Sequence, residues 1–243
     1  MQVWFLDTAT KMNPNLNFGQ AVKGRTAGRA EGIIDTRQFV FALDGVQLLQ
    51  NSTSWTKEND KALKGWFSQF LTWLNTSEIG IDELNAKNNH GVWFDAQAIV
   101  IADYLADIKE VTNIIERATN RLDVQMNNAG FFPMELERTT SLHYSVFILN
   151  AFNIVAQIAE KNGVDFYHLQ TKSGKSFQKG FDAILPFISQ KEKWTYQEIK
   201  PFHYSDAYAL LLRGKSKMNC SECDEAIKQA AGKNVELLLT NLL

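Results

Sequence analysis

Along most of this chain apolar residues return every third or fourth position, a spacing that puts them on one face of an α-helix. Leu63, Phe67, Phe70 and Leu74 step by 4, 3 and 4, and Ile108, Val111, Ile115, Ala118 and Leu122 by 3, 4, 3 and 4. Similar stripes run through Ile34, Phe41 and Leu48, and through Leu142, Val146, Leu149 and Ala156. Less regular helical stretches cover Tyr204 to Leu212 and Val235 to Leu242. Val92 to Leu105 holds the apolar run Ala98 to Ala102, and a helix that is apolar on most sides belongs inside a larger helical assembly. Strand-like alternation is scarce, and the linkers Gln50 to Thr53, Thr76 to Gly80 and Lys172 to Lys175 are short and polar. The pattern predicts six or more helices in antiparallel pairs within one all-α domain spanning residues 1–243. No fixed repeat period is present, which argues against a sequence-encoded solenoid.

Composition then narrows the function. A chain of 243 residues with 45% hydrophobic residues, 4 prolines and 14 glycines has the make-up of a folded globular protein. Its 25 Lys and Arg against 27 Asp and Glu give a net charge of −2, without the basic excess of a non-specific nucleic-acid binder. No apolar run approaches the roughly 18 to 20 residues of a membrane span, and Met1 to Thr10 does not read as a signal peptide. Neither nucleic acid nor membrane is expected as a partner, and oligomeric state leaves no mark.

Several tempting motifs fail. His90, His143, His168 and His203 fall in no tight metal spacing, and Cys220 with Cys223 offers half a zinc site and no disulfide framework, so this CxxC reads as a helix start. No metal and no cofactor is expected. Gly174, Lys175 and Ser176 imitate the end of a phosphate loop, but Leu169 stands where its first glycine is required. Gly24, Gly28 and Gly32 are four apart yet interrupted by Arg25, Arg29 and Glu31, and read as turns or close backbone approaches.

Polar chemistry concentrates in two places. Met12 to Arg37 contains Asn13, Asn15, Asn17 and Gln20 around Phe18, with Lys23, Arg25, Arg29 and Arg37. Amides bind hydroxyls while a ring face supports an apolar sugar face, although an ordinary polar loop has the same composition. The second place is Asn88, Asn89 and His90 before the apolar helix, together with Arg138 and Tyr144 six residues apart on another candidate helix. An Asn there also suits a helix cap. Six residues place Arg138 and Tyr144 about 120° apart around a helix, so convergence needs a long, bent Arg.

Asn, His, Arg and Tyr together suit β-elimination at a uronate sugar. The carbon-5 proton is weakly acidic beside a carboxylate, so preorganised donors such as Asn89 and Arg138 must offset the charge that grows in the transition state. A phenol beside a cation favours its ionised form, which lets Tyr144 act as base and then as acid. His90 is the alternative base when the proton lies on the other sugar face, so the geometry depends on the uronate epimer.

The blocks Trp4 to Gln20 (WFLDTATKMNPNLNFGQ), Gly32 to Arg37 (GIIDTR), Asn88 to Gln97 (NNHGVWFDAQ) and Pro133 to Phe147 (PMELERTTSLHYSVF) together resemble the alginate lyase family. These are helical-toroid polysaccharide lyases acting on polyuronates, and Trp194 to Ile199 (WTYQEI) is a weaker part of the likeness. The resemblance implies an incomplete (α/α) toroid of antiparallel helix pairs, N-terminally truncated relative to the family. It implies Asn89, His90, Arg138 and Tyr144 as the catalytic group. Asn13, Asn15, Gln20, Arg29, Arg37, Asn88 and Trp93 are the expected substrate-binding residues, with Trp93 evenly balanced between sugar contact and core. The implied partner is an acidic polysaccharide, alginate or glucuronan, because the Arg-to-Tyr spacing resembles a branch holding both lyase types. Family members act in the periplasm or outside the cell. Phe94 stands where a Tyr is common. The competing expectations are a degenerate helical protein that binds acidic glycans without turnover, and a helical scaffold whose aromatics are core. Trp66 and Trp73, at helical spacing, read as core.

Overall fold

The computed structural model describes residues 1–231, so the helix expected at Val235 to Leu242 lies outside the described residues. Ten α-helices are described: α1 Phe39–Leu49, α2 Lys57–Thr76, α3 Glu78–Leu84, α4 Asn89–Tyr104, α5 Ile108–Gln125, α6 Pro133–Leu136, α7 Ser141–Lys161, α8 Phe177–Ile188, α9 Tyr208–Lys217 and α10 Cys223–Ala231. Among the described residues pairing between extended segments is limited to two isolated bridges, Val22 with Thr26 and Thr140 with Glu198. The all-α expectation therefore holds. The described chain divides into two compact units, Met1–Ala86 with Trp93–Ile114, and Lys87–Val92 with the described residues from Ile115.

In the first unit α2 shows why the stripe folds as it does. The Thr56 hydroxyl accepts from the Asn59 N–H at 3.1 Å, and Glu58 and Asp60 lie in the first turn, where the helix dipole favours negative charge. Leu63, Phe67, Phe70 and Leu74 are then wholly buried. Phe5, Phe39, Trp66, Phe67 and Phe70 pack ring against ring at centroid distances of 4.8 to 5.8 Å. Tyr104 closes this core from α4, donating its hydroxyl to Asp60 at 2.9 Å. The expected linker at Thr76 to Gly80 is a tight corner, since Ser77 ends α2 and also caps α3 by accepting from Gly80 N–H at 3.0 Å. The stripe from Ile34 crosses a change of winding, because Ala30–Gln38 is a 3₁₀ helix that becomes α1 at Phe39, and Leu48 ends up 62% exposed.

In the second unit α7 is the central helix. It is long and apolar enough to cross a membrane, but 67% of its apolar stretch is buried within the protein, as in a core helix. Its Phe152 stacks between Phe132 and Phe166 at centroid distances of 5.8 and 6.4 Å. Thr140 at its N-cap makes no side-chain capping bond. The cap comes from a distant strap instead: Glu198 Oε2 accepts from Leu142 N–H at 2.7 Å, and the Gln197 carbonyl accepts from Ser141 N–H at 3.0 Å. Trp194 donates its indole N–H to Ser141 Oγ at 2.8 Å, and Ile199 N–H bonds the Thr139 carbonyl at 2.9 Å. Four N-terminal N–H groups of any helix lack internal partners, and this strap supplies two of those acceptors.

The false phosphate loop is a helix start. Gly174 has φ +72°, and Ser176 accepts from Lys179 N–H at 3.0 Å to cap α8. Cys223 does begin α10, as expected, but it is also joined to Cys220 in a disulfide.

Candidate active site

The second unit brings together residues from two blocks that are far apart in sequence. Asn89 opens α4 and is wholly buried. Its backbone N–H donates to Glu135 Oε1 at 2.7 Å, and its side-chain Nδ2 donates to Glu135 Oε2 at 2.8 Å. Asn89 Oδ1 is buried without a hydrogen-bond partner. Glu135 is also wholly buried, and this burial pushes its carboxyl above the usual carboxylate range. Its bonds from Asn89 and the charges of Arg138 and His90 act in the opposite direction. Three residues further along, the Arg138 guanidinium lies over the Tyr144 ring, 3.9 Å from its centroid, a cation–π contact. The two residues do not share a helix as the sequence suggested: Arg138 lies in the bend between α6 and α7, and that turn of the chain, not a helical spacing, sets it against Tyr144. His143 packs edge-on to Tyr144 with centroids 5.5 Å apart and has Asp206 Oδ2 at 3.3 Å from its Nδ1. Arg138, Tyr144 and His90 are each half-buried.

Asn88 is the cap at this corner, its Oδ1 accepting from His90 N–H at 3.1 Å. Trp93 is 5% exposed and lies within the first unit's core, a placement that favours packing over contact with a sugar. Glu135 was not singled out from the sequence, although it stands in the block PMELER. An acid in the first turn of a short helix reads as a dipole partner, and only the approach of Asn89, 46 positions away, reveals its task.

The polar loop lies in the first unit. Arg29 Nη2 donates to Gln20 Oε1 at 2.7 Å, and Gln20 Nε2 donates to Asp35 Oδ1 at 3.2 Å, forming an exposed chain of three side chains. Gln20 has φ +49°, an uncommon left-handed conformation for a residue with a side chain. Asn13 is exposed and Asn15 half-buried, while Arg37 donates to the Ile34 carbonyl at 3.2 Å. Phe18 stands out at 76% exposure. Trp66 is core, with its N–H on the Met12 carbonyl at 2.8 Å, and half-buried Trp73 donates to Asn17 Oδ1 at 2.9 Å, so both tie the loop down. Two of the spaced glycines are close approaches: a Cβ on Gly32 would stand 2.5 Å from the Gly19 carbonyl carbon, and one on Gly28 would strike the Asn17 carbonyl oxygen, whereas Gly24 has open space around it and a left-handed φ of +77°. Among the described residues no group of three His, Cys, Asp or Glu side chains is arranged to hold a metal ion.

An alginate lyase from Bacteroides ovatus has the same fold, with a TM-score of 0.83 and 33% identity over 93% of this chain and 61% of that one. Alginate lyase A1-III, solved as a variant in complex with a tetrasaccharide, is similar in fold with a TM-score of 0.60 at 17% identity, covering 77% of this chain and 56% of that one. This chain thus spans less than two thirds of the length of either. These likenesses bear out the helical-toroid fold class. No curated protein matches the chain. The alginate lyase family matches residues 1–194, which takes in the polar loop, the NNH corner and the helix carrying Tyr144, and the chain belongs to that family.

Proposed function

We propose that this chain cleaves a polyuronate by β-elimination, with alginate or glucuronan as substrate. The observation that carries the reading is the Arg138 guanidinium held 3.9 Å from the centre of the Tyr144 ring, in the unit that also binds Asn89 to Glu135. Arg138 faces the charge that develops on the substrate carboxylate as the carbon-5 proton leaves. Tyr144 takes that proton, the carbon 4–carbon 5 double bond forms, and the carbon 4–oxygen bond breaks. The same phenol then returns a proton to the departing oxygen, so atoms and charge balance. His90 takes the proton for the opposite epimer. The loop amides Asn13, Asn15 and Gln20, with Arg29, Arg37 and the exposed ring of Phe18, form a surface suited to glycan hydroxyls and carboxylates. A periplasmic or extracellular setting is part of the proposal, and the Cys220–Cys223 disulfide supports an oxidising compartment.

The test is the ultraviolet absorbance of the new conjugated double bond on polymannuronate, polyguluronate and glucuronan. Tyr144→Phe is expected to lower the rate by about 100-fold or more, the usual worth of a general acid–base group. Full activity in that variant removes Tyr144 from the mechanism. The complete burial of Asn89 favours a second reading, glycan binding without turnover, which predicts calorimetric binding of oligouronates with no new chromophore at any pH.

A further inference from the structure

A polar cleft and an aromatic cluster lie next to each other in the second unit, apart from Arg138 and Tyr144. The cleft has a volume of about 560 Å³, enough for a small ligand, and is lined by His168, Gln170, Ser176, Gln178, Lys179 and Asp182. Asp165 holds His168 through Nδ1 at 2.8 Å, so Nε2 is the ring nitrogen a ligand would meet. The N–H groups of Lys179 and Gly180 are already bonded to Ser176, and recognition falls to the side chains rather than to the end of α8. Four rings make up the cluster. Phe187 lies 4.8 Å from Trp194, Trp194 lies 5.2 Å from Tyr196, and Phe131 is 6.1 to 6.4 Å from all three. Phe131, Phe187 and Trp194 are half-buried and Tyr196 is 44% exposed, so these rings are not sealed away as core.

Cleft and cluster share their walls. Ala129 lines the cleft, and Phe131 stands two residues further along a turn fixed by Asn127 Oδ1, which accepts from the N–H groups of both. Ala183 lines the cleft as well, and Phe187 follows one helical turn later on the same face of α8. The turn presses on α8, since a Cβ on Gly130 would stand 2.5 Å from the Lys179 carbonyl oxygen. Beyond the rings, Trp194 donates to Ser141 Oγ at 2.8 Å, and Ser141 shares the first turn of α7 with Tyr144. We propose that this surface is a glycan tract: an acidic oligosaccharide engaged at Arg138 and Tyr144 runs over Trp194 and Tyr196 and ends in the cleft beside α8. The C–H face of a sugar rests on an aromatic ring, and the indole is already held by Ser141, so little ordering is left to binding. In the cleft Lys179 meets a sugar carboxylate, while the glutamine amides, His168 and Asp182 take hydroxyls. Arg138 and Lys179 put a cation at each end, which suits a chain with an acid on every sugar. The engagement at Tyr144 rests on the lyase reading, whereas the binding of an acidic glycan over the rings and in the cleft does not.

The test is calorimetry on the full chain carrying Tyr144→Phe, to slow cleavage, titrated with oligomannuronates and oligoguluronates of increasing length. Affinity is expected to rise with length until the tract is filled, with one long chain bound per protein molecule. Adding Tyr196→Ala should weaken a long chain about 3- to 10-fold, the worth of one aromatic contact, and Tyr196→Phe, which keeps the ring, should restore it. Lys179→Gln should cost about 2- to 5-fold, and a neutral glucan of the same length should bind more weakly than the uronate. This second variant keeps the backbone cap of α8 and lies outside the strap, so its loss of affinity does not come from loosening α7. Long chains held as tightly by both variants as by the parent overturn the proposal. So do two chains bound per molecule, a Tyr196→Phe protein as weak as Tyr196→Ala, a neutral glucan bound equally well, or no binding at all. A chromophore formed by the wild type while both variants bind normally faults the tract alone. Variant-sensitive binding without any chromophore faults the lyase reading alone.

Discussion

Gln20 in the first unit and Asn89 in the second carry the same kind of amide and end in opposite situations. Gln20 is at the surface with both amide atoms used, its oxygen by Arg29 and its nitrogen by Asp35. Asn89 is sealed from water with its nitrogen used and its oxygen orphaned. Water can replace any bond Gln20 loses, so its small network is cheap to break and easy to open toward a ligand. Nothing replaces a bond at Asn89, so its geometry is enforced by Glu135. The loop can adapt to a glycan; the buried corner is preset.

Three substitutions put that contrast under strain. Glu135→Ala should have the largest effect, because two buried N–H groups of Asn89 lose their acceptors together, each worth about 1–3 kcal/mol. Denaturant unfolding is expected to show a loss of about 3 kcal/mol, and a change under ~0.5 kcal/mol would mean the corner is not preset. Glu198→Ala removes the remote cap from Leu142 N–H and is expected to cost about 1 kcal/mol, with faster amide exchange confined to the first turn of α7. Gln20→Ala should have the smallest effect, within ~0.5 kcal/mol on stability because the site is exposed. If the loop holds a glycan, the same variant weakens oligouronate binding several-fold with the unfolding midpoint unmoved; a large drop in stability would make the loop structural.

Much of the fold was legible in the residues because burial follows apolar spacing so directly in α2, α5 and α7. What escaped was short or capped from afar. α3 and α6 have seven and four residues, too few for a stripe to show, and α8 carries Pro186 near its end. The approach of Arg138 to Tyr144 was anticipated for the wrong reason, since a turn between α6 and α7, and not a shared helix, brings them together. Glu135 was not, since its meaning depends on a partner 46 residues away. Trp93, evenly balanced in the sequence between sugar contact and core, is 5% exposed, a burial that its neighbourhood in sequence could not reveal.

The family match ends at residue 194, just where the strap over α7 begins. A chain cut at the edge of the match would keep Arg138 and Tyr144 but strip the acceptors from Ser141 and Leu142, so the phenol would ride on a fraying coil. Anyone trimming this protein to its recognisable part should leave the tether from Trp194 to Ile199 attached.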